Sequence, residues 1–390
     1  MRHDFLPFSK PSIGDDEIRE VVETLRSNWL TTGPKTREFE RLFSEYVNTP
    51  SSLAMNSCTA GMHTALITLG IGAGDEVITT PMTFAASVNV IEHVGARPVL
   101  VDVRPDTMNI CPEAIEAAIT PRTKAIIPVH LAGHPVDMDA IGSLADQHNL
   151  HIIEDAAHAI SAKYKGQPIG SMGNPTAFSF YATKNITTGE GGMLTGDSDF
   201  LAKARVISLH GMSREAWTRY RKGGSWMYDV VSPGFKYNMT DIQASIGLWQ
   251  LAKIEKMQQR RLRIVEQYDE AFRNIDGISL PIERPDVEHA WHLYVIRVNE
   301  DVATVDRDQF VKEMYTRNIG TSVHFIPIHM HSFYRNKYNF KPMDFPVAYN
   351  SFQEILSLPL TASMNDQDVA DVIEAVIDIA QVRQTGRKVA

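Results

Sequence analysis

The chain has 390 residues, 43% of them hydrophobic and 22% charged, with a net charge of −9 at neutral pH. That length supports more than one domain around a substantial core, the composition excludes bulk disorder, and the acidic balance excludes a general nucleic-acid-binding surface. The first residues lack the apolar stretch of a secretory signal, no run approaches the roughly 20 apolar residues of a membrane span, and two cysteines, Cys58 and Cys111, are too few for a disulfide framework, so a cytoplasmic protein is expected.

In chain order, apolar residues at Ile18, Val21, Val22 and Leu25 predict a helix over 15–27. A short strand at 53–55 leads through Ser57-Cys58-Thr59-Ala60-Gly61 into a helix ending at Leu69, closed by Gly70 and Gly72. Strands are expected at 76–80, 98–103, 124–129 and 151–154, separated by helices at 84–93, 112–118 and 138–148. This alternation predicts βαβ units and a mostly parallel sheet, with chemistry on loops beyond the carboxyl ends of the strands. Strands at 177–181 and 192–195 leave no room for a helix between them and predict a hairpin antiparallel to the rest. From Asp241 one long helix is expected to reach about residue 275, followed by a strand at 291–298 and helices at 306–317 and 366–379. A large α/β domain over 1–250 and a smaller α+β domain over 251–390 follow from this change of pattern.

Asp155 ends a strand and precedes Ala156-Ala157-His158, where a carboxylate can lie beneath a flat ligand that the alanines allow to approach. The same position also suits a helix N-cap. Lys184 follows an apolar strand and precedes Thr187-Thr188-Gly189-Glu190-Gly191-Gly192, and a lysine held in place with a depressed pKa forms a Schiff base with an aldehyde. Ser179 stands where its hydroxyl can reach a phosphate on such a ligand. The turn from Ser57 to Gly61 offers amide groups and a helix N-terminus to an anion. Phe84 suits stacking on a ring or core packing equally well. Gly70-Ile71-Gly72-Ala73-Gly74 follows a helix and is not a dinucleotide fingerprint, and His324, His329 and His331 have no Cys or acidic partners nearby, so no metal is expected.

With these residues in place, the chain resembles the DegT/StrS family of nucleotide-sugar aminotransferases over nearly its whole length. Pro11-Ser12-Ile13-Gly14, Trp29-Leu30-Thr31-Thr32-Gly33-Pro34, Glu154-Asp155-Ala156-Ala157-His158, Thr183-Lys184-Asn185 with Gly189-Glu190-Gly191-Gly192, Tyr237-Asn238-Met239-Thr240-Asp241-Ile242-Gln243-Ala244 and Leu356-Ser357-Leu358-Pro359 follow in the family's order. The resemblance implies the fold-type-I, aspartate-aminotransferase-like architecture and pyridoxal 5'-phosphate as cofactor. It implies that Lys184 bonds the cofactor and shuttles the proton, Asp155 pairs with the pyridine nitrogen, and His158 stands near the ring oxygen. Thr59, the Ala60 amide and Ser179 would hold the phosphate, Phe84 would stack on the ring, and Asn238 would reach the neighbouring site across a homodimer interface.

Many family members read Pro-Thr-Lys at the lysine, whereas this chain has Phe180-Tyr181-Ala182-Thr183-Lys184. That variant, with the stretch from His324 to Tyr334, resembles the branch acting on UDP-linked 4-keto sugars. The implied reaction passes an amino group from glutamate (or glutamine) to give a 4-amino sugar for a surface polysaccharide or glycolipid. Thr32, His324, His329, Tyr334 and Arg335 are the expected substrate contacts. A 3-keto sugar, a keto sugar without a nucleotide such as a keto-octulosonate, an amino-acid-type substrate and a non-catalytic regulator of the same fold remain open. A dehydratase of this fold carries histidine in place of the lysine, so Lys184 argues against it.

Overall fold

The computed structural model describes residues 2–213, 227–299, 302–303 and 305–381. The strands of the first half, the longer of them rich in apolar and β-branched residues, are β1 (Ser51–Met55), β2 (Glu76–Thr79), β3 (Arg97–Leu100), β4 (Thr123–Ile126), β5 (His151–Ile152), β6 (Glu154–Asp155), β7 (Lys163–Tyr164), β8 (Gln167–Pro168), β9 (Thr176–Ser179) and β10 (Gly192–Gly196). β5 and β6 are two halves of one strand. The Ile153 amide bonds to Ile126 on one side, and the Glu154 amide bonds to Pro175 on the other. The sheet therefore runs β3-β2-β4-β5/β6-β9-β10-β1. Its pairs are parallel except those made by β10, which opposes both β9 and β1. The expected hairpin is present, but only β10 runs against the rest, because β9 pairs in parallel with β6. β2 is buried at every position, as a strand covered by helices on both faces must be.

Helices Cys58–Thr68, Ala86–His93, Pro112–Ala118 and Met138–His148 lie where the apolar spacing places them. Ser57 caps the first by accepting the Ala60 amide, and Asp137 caps the last by accepting the Ala140 amide. Helices Pro34–Val47 and Ser198–Ser208 add to those expected. The long helix predicted from Asp241 is two helices, Asp241–Ala252 and Ile254–Phe272, parted at Lys253 (φ −111°, ψ 10°). They serve different cores. The first packs against Asp15–Arg26 and Pro34–Val47, while the second turns Ile264, Tyr268 and Phe272 into the C-terminal core.

Phe39, Phe43, Phe178 and Phe180 dominate the core on one face of the main sheet, and Met62, Leu66, Val77 and Ile91 belong to a second. Towards the C-terminus, β11 (Ile278–Ser279), β13 (Tyr294–Val298) and β14 (Ile355–Leu358) form an antiparallel sheet, while β12 (Val287–Glu288) pairs with β7. That C-terminal core also takes Leu6, whose backbone bonds to Asn318 and Gly320 and so ties the first residues to that core. A fourth cluster joins Met82, Val88 and Leu131 to Leu293, Ile328 and Tyr334.

Candidate active site

A cavity of about 540 Å³ opens where β6 and β9 end, and Lys184, Asp155, Ser179, Thr59, Phe84 and His158 all line it. β9 leads directly into the lysine loop. The Thr187 hydroxyl and the Thr188 amide both donate to the Phe180 carbonyl, each at 3.0 Å, and the Lys184 amide donates to Tyr181 at 2.9 Å. The loop is thus folded by its own backbone and threonines. Burial pushes the Lys184 amine down to about 8, against the opposing pull of Asp155. An appreciable minority of this amine is therefore already neutral near physiological pH, the form a carbonyl-attacking nitrogen requires.

Asp155 is buried, and its carboxylate is held at both oxygens. Ser87 donates its hydroxyl to Oδ2 at 2.6 Å, and the Ala157 amide donates to Oδ1 at 3.1 Å. The Cys58 thiol lies 3.8 Å from Oδ1 and 3.3 Å from the Ala177 carbonyl, and burial raises its pKa. His158 accepts the Ala132 amide at Nδ1, 3.2 Å away, so its own proton sits on Nε2. Its ring lies 4.3 Å from that of His292 and stacks on Phe325 at 5.9 Å. Burial, reinforced by Lys184, keeps His158 and His292 well below the usual histidine range and brings His324 down to about 4. Three neutral imidazoles therefore surround the lysine at pH 7.

The anion-binding turn is only partly as expected. Thr59 faces the cavity, but the Ala60 amide is already bonded to the Ser57 hydroxyl at 3.1 Å, and Ala60 does not line the cavity. A helix cap and an open amide are mutually exclusive uses of one N–H. Gly192 is required here, because a Cβ on it would stand 2.4 Å from the Ser57 backbone. Ser179 lines the cavity and accepts the Tyr181 amide at 3.3 Å. Phe84 keeps 65% of its surface exposed, unlike a core residue, with its ring 6.0 Å from Phe325.

Of the expected substrate contacts, only His324 lines the cavity, where its Nδ1 also meets Ser357 at 2.9 Å. Thr32 is bonded to Asn238 and Met239 outside it. His329 is fully buried, bonded to the Pro342 carbonyl and packed on Phe345. Tyr334 is buried and donates to Asn89, while Arg335 is exposed on the helix Ser332–Tyr338. These groups are taken up by packing within the chain or face away from the site. Asn238 also lies off the cavity of its own chain, donating to Thr32 at 2.7 Å. Sequence reasoning passed over Ser87, Thr83, His292 and Phe8. Ser87 and Thr83 flank Phe84 four residues apart, a signal available in the sequence; nothing local marks His292 or Phe8.

The model of the DegT/DnrJ/EryC1/StrS aminotransferase family matches residues 11–377. The chain is 53% identical over 384 residues to the spore coat polysaccharide biosynthesis protein SpsC of Bacillus subtilis, covering 97% of this chain and 98% of that one. Among solved structures, the pyridoxal-phosphate form of the putative sugar aminotransferase Spr1654 from Streptococcus pneumoniae superposes with a TM-score of 0.91 at 39% identity, covering 98% of this chain and all of the other. PseC of Helicobacter pylori, an aminotransferase involved in pseudoaminic acid biosynthesis, gives 0.88 at 28% identity, with 97% and 99% covered. Fold and site together define a fold-type-I, pyridoxal-phosphate-dependent aminotransferase. The chain belongs to the DegT/DnrJ/EryC1/StrS family of sugar aminotransferases.

The residues present fit the cofactor. One cavity combines a buried amine of depressed pKa, a carboxylate pinned from behind, an exposed aromatic ring and hydroxyls at Thr59 and Ser179.

Proposed function

We propose that Lys184 is the residue that bonds the cofactor and moves the proton during transamination, with Asp155 as partner of the ring nitrogen. The remaining cofactor contacts are His158 at the ring oxygen, Phe84 against the ring face, and Thr59 and Ser179 at the phosphate. The cofactor supplies an electron-withdrawing ring that stabilises negative charge on the carbon bearing the amino group. The chain does the rest. Lys184, neutral above about pH 8, accepts a proton from that carbon and returns it. His158, with its proton on Nε2, donates into the cavity. The observation that carries this reading is the depressed amine of Lys184 sharing one buried cavity with Asp155. Borohydride reduction of the holoenzyme followed by peptide mass analysis tests it. The cofactor mass is expected on the peptide containing Lys184; its appearance on Lys163 or Lys165 overturns the assignment.

For the substrate, the reading is a UDP-linked 4-keto sugar aminated by glutamate, in an enzyme of the cytoplasm, giving a 4-amino sugar for a surface polysaccharide. The Phe180–Lys184 variant supports the 4-keto branch, and the name of the Bacillus subtilis relative supports a polysaccharide product. His329 and Arg335, expected as substrate contacts, lie off the cavity and lend this reading no support. Glutamate-dependent turnover of a 4-keto UDP sugar should exceed that of its 3-keto isomer, and the opposite preference defeats this part alone.

The homodimer with shared sites belongs to the same reading. It is supported by Asn238 lying off its own cavity and by the exposed apolar residues Ile18, Leu25 and Leu30 near the chain's start. The division into a large domain over 1–250 and a small one over 251–390 belongs to the same reading with one adjustment: Leu251, Ile254 and Met257 join the first core and Ile264 onward the C-terminal one, which supports a boundary inside the helix Ile254–Phe272 rather than ahead of it.

A further inference from the structure

Asp155 takes its orientation from behind the cavity. We propose that Thr83 and Ser87 form a polarised hydroxyl relay that positions the Asp155 carboxylate, making both of them positioning residues for cofactor binding. The proposal rests on the reading above in taking Asp155 as the ring-nitrogen partner.

Ser87 Oγ lies 2.6 Å from Asp155 Oδ2 and 2.7 Å from Thr83 Oγ1. Ser87 is wholly buried, and Thr83 and Asp155 nearly so. A hydroxyl has one proton and an ionised carboxylate has none, which fixes the direction of the chain. Ser87 gives its proton to Asp155, since its other acceptor, the Phe84 carbonyl, stands at a longer 3.4 Å. Its oxygen then accepts from Thr83. With Ala157 N–H on Oδ1, the carboxylate is held at both oxygens, and rotating it breaks both contacts. Asp155 itself lines the cavity.

Ser87 is placed by its helix, and that helix is anchored from far along the chain. On Ala86–His93, Asn89 accepts the Tyr334 hydroxyl, and Glu92 accepts the Tyr338 hydroxyl at 2.6 Å and pairs with Lys337. Val88, between Ser87 and Asn89, packs in the cluster that contains Tyr334 and Ile328. Tyr334 thus serves the site indirectly, by holding the helix whose first turn orients Asp155.

The test uses the holoenzymes of Ser87→Ala, Ser87→Thr and Thr83→Val. For each, the rate of cofactor loss on dilution and the pH midpoint of the bound cofactor's absorbance are measured. Removing a hydrogen bond to a charged group should speed cofactor loss about tenfold in Ser87→Ala and move the midpoint. Ser87→Thr should return both towards wild type, and Thr83→Val, which keeps the shape and loses the hydroxyl, should fall between. Wild-type values in Ser87→Ala, or a Ser87→Thr no better than Ser87→Ala, overturn the relay. If Ser87→Ala does not fold, Thr83→Val decides: wild-type loss rate and midpoint there overturn it. An Asp155→Ala protein with unaltered cofactor retention fails the role proposed for Asp155, whereas an impaired Asp155→Ala beside an unaltered Ser87→Ala fails the relay alone.

Discussion

Two regions of the molecule look equally chemical in sequence and behave differently in space. The segment from Asp155 to Gly192 and the segment from His324 to Arg335 both combine titratable groups with aromatics. In the first, Asp155, His158, Ser179 and Lys184 converge on one cavity from the ends of adjacent strands. In the second, only His324 and Phe325 at its start reach that cavity, while His329 and Tyr334 are consumed by contacts with Pro342 and Asn89. Strand ends in a parallel sheet lie side by side, so residues there share a site by construction. A short helix points its residues around a circle, and a neighbour decides which of them are used for packing.

The comparison can be broken most severely at Lys184. Lys184→Ala should lose transaminase turnover by at least about 10⁴-fold, the upper range for a positioned proton-transfer group, with the bond to cofactor lost as well. Retained turnover in a steady-state assay with glutamate would remove the first region's claim to the chemistry. Asp155→Ala should slow the half-reaction with glutamate by roughly 10- to 100-fold, the equivalent of about 1.5–3 kcal/mol for a hydrogen bond to a charged group. An unchanged rate in stopped-flow absorbance would make Asp155 a structural residue.

A smaller effect concerns pH. Burial lowers Lys184 from its ordinary 10.5 to about 8, so between these values the unfolded chain binds a proton that the folded chain lacks, and stability gains as pH rises. At pH 7 the folded apoprotein carries a costly buried ammonium, so Lys184→Met apoprotein should melt higher, on a scale of about 2–4 °C per kcal/mol for large domains. The gap should narrow between pH 8 and 10.5; a gap independent of pH in differential scanning calorimetry would contradict the buried, depressed amine. Smallest of all, Arg335→Ala should leave KM for the sugar substrate within about twofold, as expected for an exposed residue off the cavity. A large rise in KM would return the second region to the substrate, by way of a neighbouring chain.

Much of this was legible in the order of residues. Strands alternating with helices announced the parallel sheet, and strand-end Asp155 and Lys184 before a glycine-rich loop announced the site, because both signals are local. The break at Lys253 was not legible: the helical pattern continues through it, and only the demand of two cores for differently aimed helices divides it. The Ala60 amide misled for a similar reason, since the sequence does not say whether Ser57 or a ligand takes it.

The residue types, the strand ends that present them and the glycines that let the lysine loop approach the helix turn are all set by neighbours within a few positions, and so were readable along the chain. Packing in three dimensions settled the rest: that β9 runs with its sheet beside β6, that Ser87 lies 2.6 Å from a carboxylate 68 residues away, and that His292 stands against His158. Those pairings arise from packing separate cores against each other, and distance along a chain carries no record of which buried surfaces will meet.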